Sequence, residues 1–511
     1  MTHLRRITRG ASYDHQKQMI MLKLIRSFIF TSVLIVSTAF WFNLSGQISN
    51  TYYYMYGIPQ ANQLNPAFQP QCNGYFGIPG ISPLNINVEL NSIGYKDIFT
   101  YNDSLDAMIT FMHSRGDKDE FLKSLKDVNT LRADISTSLL SIGWRKDDFY
   151  FTIDATTRVE HSFNFTKDFM EFAMYLNKDK NRFNFSGMGM TARAYNELAI
   201  GISYNYDDNI QVGAKAKVLF GLADFTTRST DITLRAYDSV WTIDSEILTN
   251  VSVPFLDLPV DDEGFIIADS MDILIPDDVD FLQFALDNKH KFLGTRNLGV
   301  ALDFGFIYSP IENLEVSASV NDLGLIRWKN DSYTLEQDVK FDFTGIEVDA
   351  ETIFEDSIDG ESSFMDDLTD SVMSDLKFTT IKEPYTTFLA GKVYIGAAYE
   401  INEKFKFGVV DRVRIYNQKI YNQLTLSANV QPISLLSATV SYSIIGDFYT
   451  NIGFGLSLRA GPLNIYFITD QAPSIYLMPP STNSLNFRFG MNLVFGCARI
   501  PKKLRDRPLI D

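Results

Sequence analysis

Residues 434–445 alternate strictly. Leu436, Ala438, Val440, Tyr442 and Ile444 fall on one side, and Ser437, Thr439, Ser441 and Ser443 on the other. Residues 422–430 repeat this with Leu424, Leu426, Ala428 and Val430 against Gln423, Thr425, Ser427 and Asn429. Residues 452–458 set Ile452, Phe454, Leu456 and Leu458 against Gly453, Gly455 and Ser457, and 198–206 and 300–308 follow the same rule. A period of two marks a strand with unlike faces. The wet face stays small and polar from strand to strand, and lengths run close to the ~9–11 residues that cross a bilayer. The pattern predicts an all-β fold, a transmembrane antiparallel barrel that is apolar towards lipid and polar inside, because a closed sheet leaves no unpaired edge in hydrocarbon. The alternative is a soluble β-sandwich or solenoid, in which the apolar face meets a second sheet. In a barrel, Val440→Arg should hinder assembly and Ser441→Arg should be tolerated.

Strands are expected at 84–95, 132–144, 148–160, 195–207, 210–222, 297–308, 313–324, 391–401, 404–416, 420–430, 434–445, 448–459, 462–470 and 483–495. Their number, about fourteen, is even, as in bacterial barrels. In the last, Phe487, Phe489, Met491, Leu493 and Phe495 alternate with Arg488, Gly490, Asn492 and Val494. It resembles the C-terminal assembly signal of bacterial outer-membrane barrels, which implies a periplasmic end at Gly496 and an encounter with barrel-assembly machinery. A basic tail, 496–511, departs from that form. Counting back from this end puts the short turns 145–147, 208–209, 309–312, 402–403, 431–433 and 460–461 inside. The long connections 96–131, 161–194, 223–296 and 325–390 then lie outside, the asymmetry such barrels have. Residues 231–242 could form a further strand.

The longest apolar run, 27–42, follows Lys23 and Arg26 and precedes Asn43-Leu44-Ser45-Gly46. It reads as a secretory signal peptide with cleavage after Gly46, so that 1–46 is a removed leader. A membrane anchor is the alternative, but the run is shorter than the ~20 residues of a helical span. Of 511 residues, 45% are hydrophobic and 14% aromatic, which excludes a disordered chain. Formal charge is −17, and removing a leader with six bases and one acid leaves 39 bases against 61 acids. That balance excludes a nucleic-acid partner. Two cysteines, Cys72 and Cys497, exclude multi-cysteine metal centres, and neither a metal site nor a cofactor is expected.

In the outer loops, Leu105, Met108, Ile109 and Met112 have helical spacing, as do Phe169, Phe172, Ala173 and Leu176 behind a cap at Thr166. Short helices over the barrel mouth are expected there. Residues 341–376 hold twelve Asp/Glu and no Lys/Arg. With Asp261, Asp262, Glu263, Asp277, Asp278 and Asp280 in 244–280, they read as solvated acidic surface. Calcium is the alternative, although no segment fits the regular calcium loop.

Residues 51–82 are rich in Pro, Gly, Asn and Tyr, lack a period and are too apolar for a free linker. Packing inside the barrel lumen accounts for them, so 47–83 is expected to be a plug or hatch and 84–495 the barrel. The pieces G-I-P-Q-A (57–61), L-N-P-A-F-x-P (64–70), G-I-P-G (77–80), G-A-K-A-K-V-L-F-G (213–221) and L-R-A-G-P-L-N-I-Y (458–466) resemble a family of uncharacterised outer-membrane barrels of Bacteroidota. The Asn65-Pro66-Ala67 core is also similar to that of fatty-acid-transporter-type barrels and of the barrel serving type IX secretion. The resemblance implies fourteen strands and an inserted N-terminal segment. Pro59 and Pro66 stiffen that segment, Asn65 is expected to bond nearby backbone, and Phe68 to anchor the turn in an apolar recess. Sealing the periplasmic rim is the blander role.

Asp154, Arg158, Lys215, Lys217, Asp303, Glu315, Glu400, Lys406, Arg412, Arg414 and Arg488 occupy polar-face positions. They form either a structural ion-pair network or a polar permeation path. The mature chain's histidines, His113, His161 and His290, fall in expected outer loops or at a strand edge, which offers no strand-borne Ser–His pair and no catalytic site. Function then divides between two classes. One is passive transport of small hydrophobic or polar solutes through an outer-membrane barrel in contact with outer-membrane lipid. The other is a docking or assembly role with a secreted or surface-protein partner. Closing the barrel sets the first strand beside the last, so Cys72 and Cys497 either form a disulfide in that oxidising compartment or remain thiols.

Overall fold

The period-two segments form the wall of one closed antiparallel barrel of 14 strands. A computed structural model describes residues 50–497 except 177, 179, 238–239, 255, 260–264, 266–271, 274–286, 344–377, 417–418, 446–447 and 472–483. The leader, the end of the basic tail, nearly all of 341–376 and about half of 244–280, with Asp261, Asp262, Glu263, Asp277, Asp278 and Asp280, lie outside the described residues. The strands are β1 (Cys72–Gly77 continuing as Leu84–Leu90), β2 (Val128–Lys146), β3 (Phe149–Thr166), β4 (Gly189–Asn205) and β5 (Ile210–Ala236). Next come β6 (Leu298–Ile311), β7 (Leu314–Trp328), β8 (Tyr385–Phe388 continuing as Gly391–Asn402), β9 (Phe405–Tyr416) and β10 (Lys419–Ile433). The last four are β11 (Leu436–Ile445), β12 (Phe448–Ala460), β13 (Leu463–Thr469) and β14 (Ser484–Cys497). Both parts of β1 pair with β2 on one side and β14 on the other, which closes the sheet.

The two faces separate as the alternation requires. Val440 is 53% exposed, whereas Thr439 and Ser441 beside it are 1% and 2%. Ile200, Val300, Phe407, Leu426 and Leu458 share the outer face with Val440. Bare apolar side chains all round a closed sheet are stable only against lipid. No described helix is long and apolar enough to cross a membrane. At one end the connections are tight hairpins, with Asp147 and Gly461 at positive φ. Every long connection is at the other end.

Three expectations need correction. The first wall strand begins at Cys72, inside the stretch assigned to the N-terminal insert, and ends at Leu90 rather than at 95. Residues 78–83 interrupt its ladder, and Pro79 and Pro83 cannot donate to one. The helical spacing at Leu105, Met108 and Ile109 misleads: Phe99–Asn102 and Ala107–Thr110 form a small hairpin, and the helix lies later, at α1 (Lys118–Ser124), capped by Asp117. Asn102 and Asp106 at the turn explain this, since both favour tight turns over helix, and Asp106 takes φ 48°. Residues 231–236 continue β5, and a separate strand, Trp241–Ser252, folds back on it. The helix α2 (Lys167–Tyr175) does follow Thr166, whose side chain accepts from the Phe169 N–H.

Beyond the barrel rim the upper part of β5 heads a projecting sheet. Arg182–Asn184 pairs with it on one side and Trp241–Ser252 on the other, followed by Ser332–Phe343 and Thr379–Ile381. One face buries Phe183, Leu234 and Ala236 beneath Phe172 of α2.

Candidate functional site: the barrel lumen

Residues 50–71 run inside the barrel, through the half nearer the short turns. Tyr52, Tyr53, Tyr54, Met55, Ile58 and Leu64 form one apolar cluster with wall residues Tyr394, Ala398, Val410, Tyr466 and Ile468. The segment's polar groups are matched to the wall. Thr51 shares a hydrogen bond of 2.6 Å with Ser441, the Tyr54 hydroxyl one of 2.8 Å with Ser317, and Asn321 donates to the Leu64 carbonyl at 2.6 Å. At the lower rim Arg145 donates to the Pro70 carbonyl at 2.8 Å. An irregular chain at membrane depth is tolerated only where protein supplies such partners.

The Asn65-Pro66-Ala67 core makes the closest approach. Asn65 is fully buried, and its side-chain oxygen accepts from the Ala67 N–H at 3.0 Å, a turn of the kind Asn favours. Its amide nitrogen donates to the Ala318 carbonyl and the Tyr53 hydroxyl, each at 3.3 Å. Phe68 packs edge-on to Tyr53 at 5.1 Å between ring centroids. Pro59 opens a 3-10 turn, Pro59–Gln63. The wall accommodates the segment with glycine: a Cβ at Gly213 or Gly305 would overlap Pro66 and Ala67 backbone or the Asn65 side chain, and one at Gly396 or Gly408 would overlap the Tyr54 ring.

Above the segment lies a charged layer. Lys217 meets Asp322 at 2.6 Å and Asp303 at 2.7 Å, with Glu197 at 3.7 Å. Arg158 pairs with Glu197 at 3.0 Å, and Lys392 completes the group on Asp322. A β-bulge builds this cluster. Asp303 of β6 faces both Asn321 and Asp322 of β7, Asp322 sits at φ 60°, and two consecutive polar side chains thereby turn inward. Lys215 pairs with Asp154 at 3.3 Å and donates to Asn62 of the segment at 3.2 Å. Near the short turns Lys406 lies between Glu400 at 3.0 Å and Glu315 at 3.7 Å, over the Tyr56 ring. Arg412 is fully buried, and Arg414 of β9 reaches Asp134 of β2 across the lumen at 3.5 Å. The polar-face charges singled out from the sequence therefore all point inward, most in ion pairs.

A third layer lies towards the end nearer the long loops. Tyr195, Leu219, Ala301, Ile326, Trp328, Tyr385 and Leu389 pack together. Beside them the buried pair Arg193–Asp224, at 2.8 Å, accepts the Tyr385 hydroxyl at 3.0 Å. Between this layer and the N-terminal segment remains a cavity of about 130 Å³, bordered mainly by the charged residues above together with Tyr52, Asn87 and Arg488. Among the described residues no group of three or more His, Cys, Asp or Glu could hold a metal ion.

Cys72 and Cys497 are joined by a disulfide with an S–S distance of 1.96 Å. They are direct cross-strand partners on β1 and β14. Sequence reasoning missed Tyr52–Tyr54, the acidic partners Glu197 and Asp322, and the inward glycines. The run of three tyrosines in a segment destined for the lumen was the available signal for the first.

A model described as a family of unknown function (DUF5723) matches residues 66–470, from the Asn65-Pro66-Ala67 core to just past β13. The chain belongs to DUF5723. The matched span holds the charged layer, the β7 bulge and thirteen of the wall strands. Among curated proteins none matches the chain. Similar solved structures include a TodX mutant described as a monoaromatic hydrocarbon channel, at 10% identity and a TM-score of 0.42, covering 89% of this chain and 98% of that one. The toluene transporter TodX of Pseudomonas putida follows at 9% and 0.37, covering 88% and 95%. A Pseudomonas aeruginosa FadL homologue gives 10% and 0.29, covering 89% and 100%.

Proposed function

We propose that this DUF5723 chain is an outer-membrane channel protein for small solutes, and that residues 50–71 are its plug. The observation that carries the reading is how the segment is held. It is bonded to the wall around the circumference, at Ser203 of β4, Lys215 of β5, Ser317 and Asn321 of β7, Thr425 of β10, Ser441 of β11 and Asn492 of β14. Most of these are hydrogen bonds between neutral groups, each contributing about 0.5–1.5 kcal/mol, and Asp470, Arg488 and Arg145 add bonds from charged groups. A segment held this way is separable from a wall whose own ladders are continuous. Reaction chemistry has no place in this account: His113 is an exposed loop residue, His290 is exposed on the short helix Lys289–Phe292, and His161 lies on β3 opposite Ala133.

Liposome swelling with the purified barrel tests the reading. The deletion must stop at Pro70, because Cys72 already belongs to the wall. Removal of 50–70 should raise permeation of small sugars and amino acids above the intact chain. If the shortened barrel assembles and stays impermeable, the channel reading fails. The second reading, a docking or assembly component, would then lead, supported by the sheet that projects beyond the barrel rim.

A further inference from the structure

Arg488 differs from the other cations around the cavity. Arg158, Lys215, Lys217, Lys392 and Arg414 each face a carboxylate. Arg488, only 6% exposed, is held by neutral groups. Its two terminal nitrogens donate to the Tyr52 hydroxyl and to Gln63 Oε1, the latter at 2.7 Å, and the Tyr52 ring lies 4.3 Å from the guanidinium carbon. Its Nε has no hydrogen-bond partner within bonding geometry, and the Tyr466 hydroxyl, likewise unbonded, lies beside the guanidinium. A buried guanidinium with an open donor is costly unless an anion completes it.

The neighbouring strand supplies a second open group. Asn87 of β1, 7% exposed, has neither side-chain amide atom bonded. It pairs with Asn486, two positions from Arg488 and on the same inward face, and both Asn87 and Arg488 line the cavity. A cavity of about 130 Å³ is close in size to the ~150 Å³ engineered cavity that binds benzene. That one is apolar, whereas this one is edged with charge and suits a solute with a charged end.

We infer that the cavity binds a small monocarboxylate, no larger than a single ring with its carboxyl group, docked on Arg488 and hydrogen-bonded by Asn87. A carboxylate is the stronger acceptor for a guanidinium and fits it bidentately. It displaces Tyr52 and Gln63 from Arg488 and so loosens the lumenal segment from above. Arg488 is then a latch that the solute itself opens. This inference rests on the channel reading and names its solute class.

Benzoate and benzamide, equal in shape and different in charge, are the probes. Calorimetry on the detergent-solubilised full barrel should show benzoate binding, with benzamide about tenfold or more weaker, the worth of a hydrogen bond to a charged group. Hydrogen exchange over residues 52–63 should rise when benzoate binds. Arg488→Gln, with assembly checked by heat-modifiable mobility, should lose the benzoate preference and show raised exchange without ligand. Tyr52→Phe keeps the guanidinium and removes one competitor, so benzoate should bind severalfold tighter. That arm decides the matter even if Arg488→Gln fails to assemble. Equal affinity for the two probes, a benzoate preference that survives Arg488→Gln, or unchanged binding in Tyr52→Phe would overturn the inference. Arg488-dependent binding in a barrel that passes no solute would defeat the channel reading and leave the site standing. Permeation indifferent to Arg488 would do the reverse.

Discussion

Gly213 stands directly opposite Gly305 across β5 and β6, and Asn65-Pro66-Ala67 fills the space their Cβ atoms would occupy. A pair of glycines removes strand-forming side chains from the wall, at a cost in sheet stability. Here that cost is offset by backbone-to-backbone approach, which no larger residue permits. The wall and the segment are thus complementary at the level of the main chain.

Gly213→Ala or Gly305→Ala should therefore push the Asn65-Pro66-Ala67 turn off the wall while leaving the barrel assembled. Backbone atoms are met at both positions, at Gly305 together with the Asn65 side-chain oxygen, so the methyl cannot be absorbed by a rotamer change alone, and overpacking costs about 1–3 kcal/mol. Hydrogen exchange over residues 62–70 should increase, with the β5 and β6 ladders unchanged.

The register predicts unequal effects at adjacent positions. Val440→Arg places a charge on the lipid face and should impair assembly, by about 2–4 kcal/mol near mid-bilayer. Alternation alone makes Ser441→Arg harmless. The structure alters that expectation, because Ser441 is buried against Thr51 of the lumenal segment. Ser441→Arg should leave a heat-modifiable barrel, yet release the segment and raise conductance. Equal assembly defects in the two variants would contradict the wall register.

Asp322 pairs with both Lys217 and Lys392 from a position at φ 60°. Asn tolerates that conformation, so Asp322→Asn removes charge with little change of shape. Leaving buried ammonium groups underpaired should destabilise the barrel by about 3–5 kcal/mol. The temperature at which the folded barrel loses its fast electrophoretic mobility should fall accordingly.

The Cys72–Cys497 disulfide pins the first strand to the last at the seam. Replacing both cysteines with serine should allow assembly, since the β1–β14 ladder remains, and lower stability by about 2–5 kcal/mol. Peptide mapping under non-reducing conditions should recover the two cysteines in one linked species. Two alkylatable thiols in unreduced, denatured protein would contradict the bridge.

The wall was legible because its signal is local. Each strand carries its own alternation, and Val440 or Ser441 reveals its side without knowledge of its neighbours. Inward charges such as Lys217 and Asp303 were legible for the same reason. What could not be read were relations between distant strands. Asp322 sits beside Asn321, out of phase with the alternation, and faces inward only because a bulge opposite Asp303 reverses it. Glycines 213 and 305 look like ordinary weak points until the segment from 65 to 67 is laid against them. Leu105, Met108 and Ile109 matched a helical period over too short a window, and the turn residues Asn102 and Asp106 outweighed it.

Single-channel recording of Asn65→Ala combined with Phe68→Ala tests the central claim most directly. The two changes remove the turn's hydrogen bonds and its packing on Tyr53, and replace no wall residue. If the lumenal segment is what keeps the channel shut, the double variant should assemble normally and show larger or longer openings than the parent. A double variant that assembles normally and conducts like the parent would contradict the account.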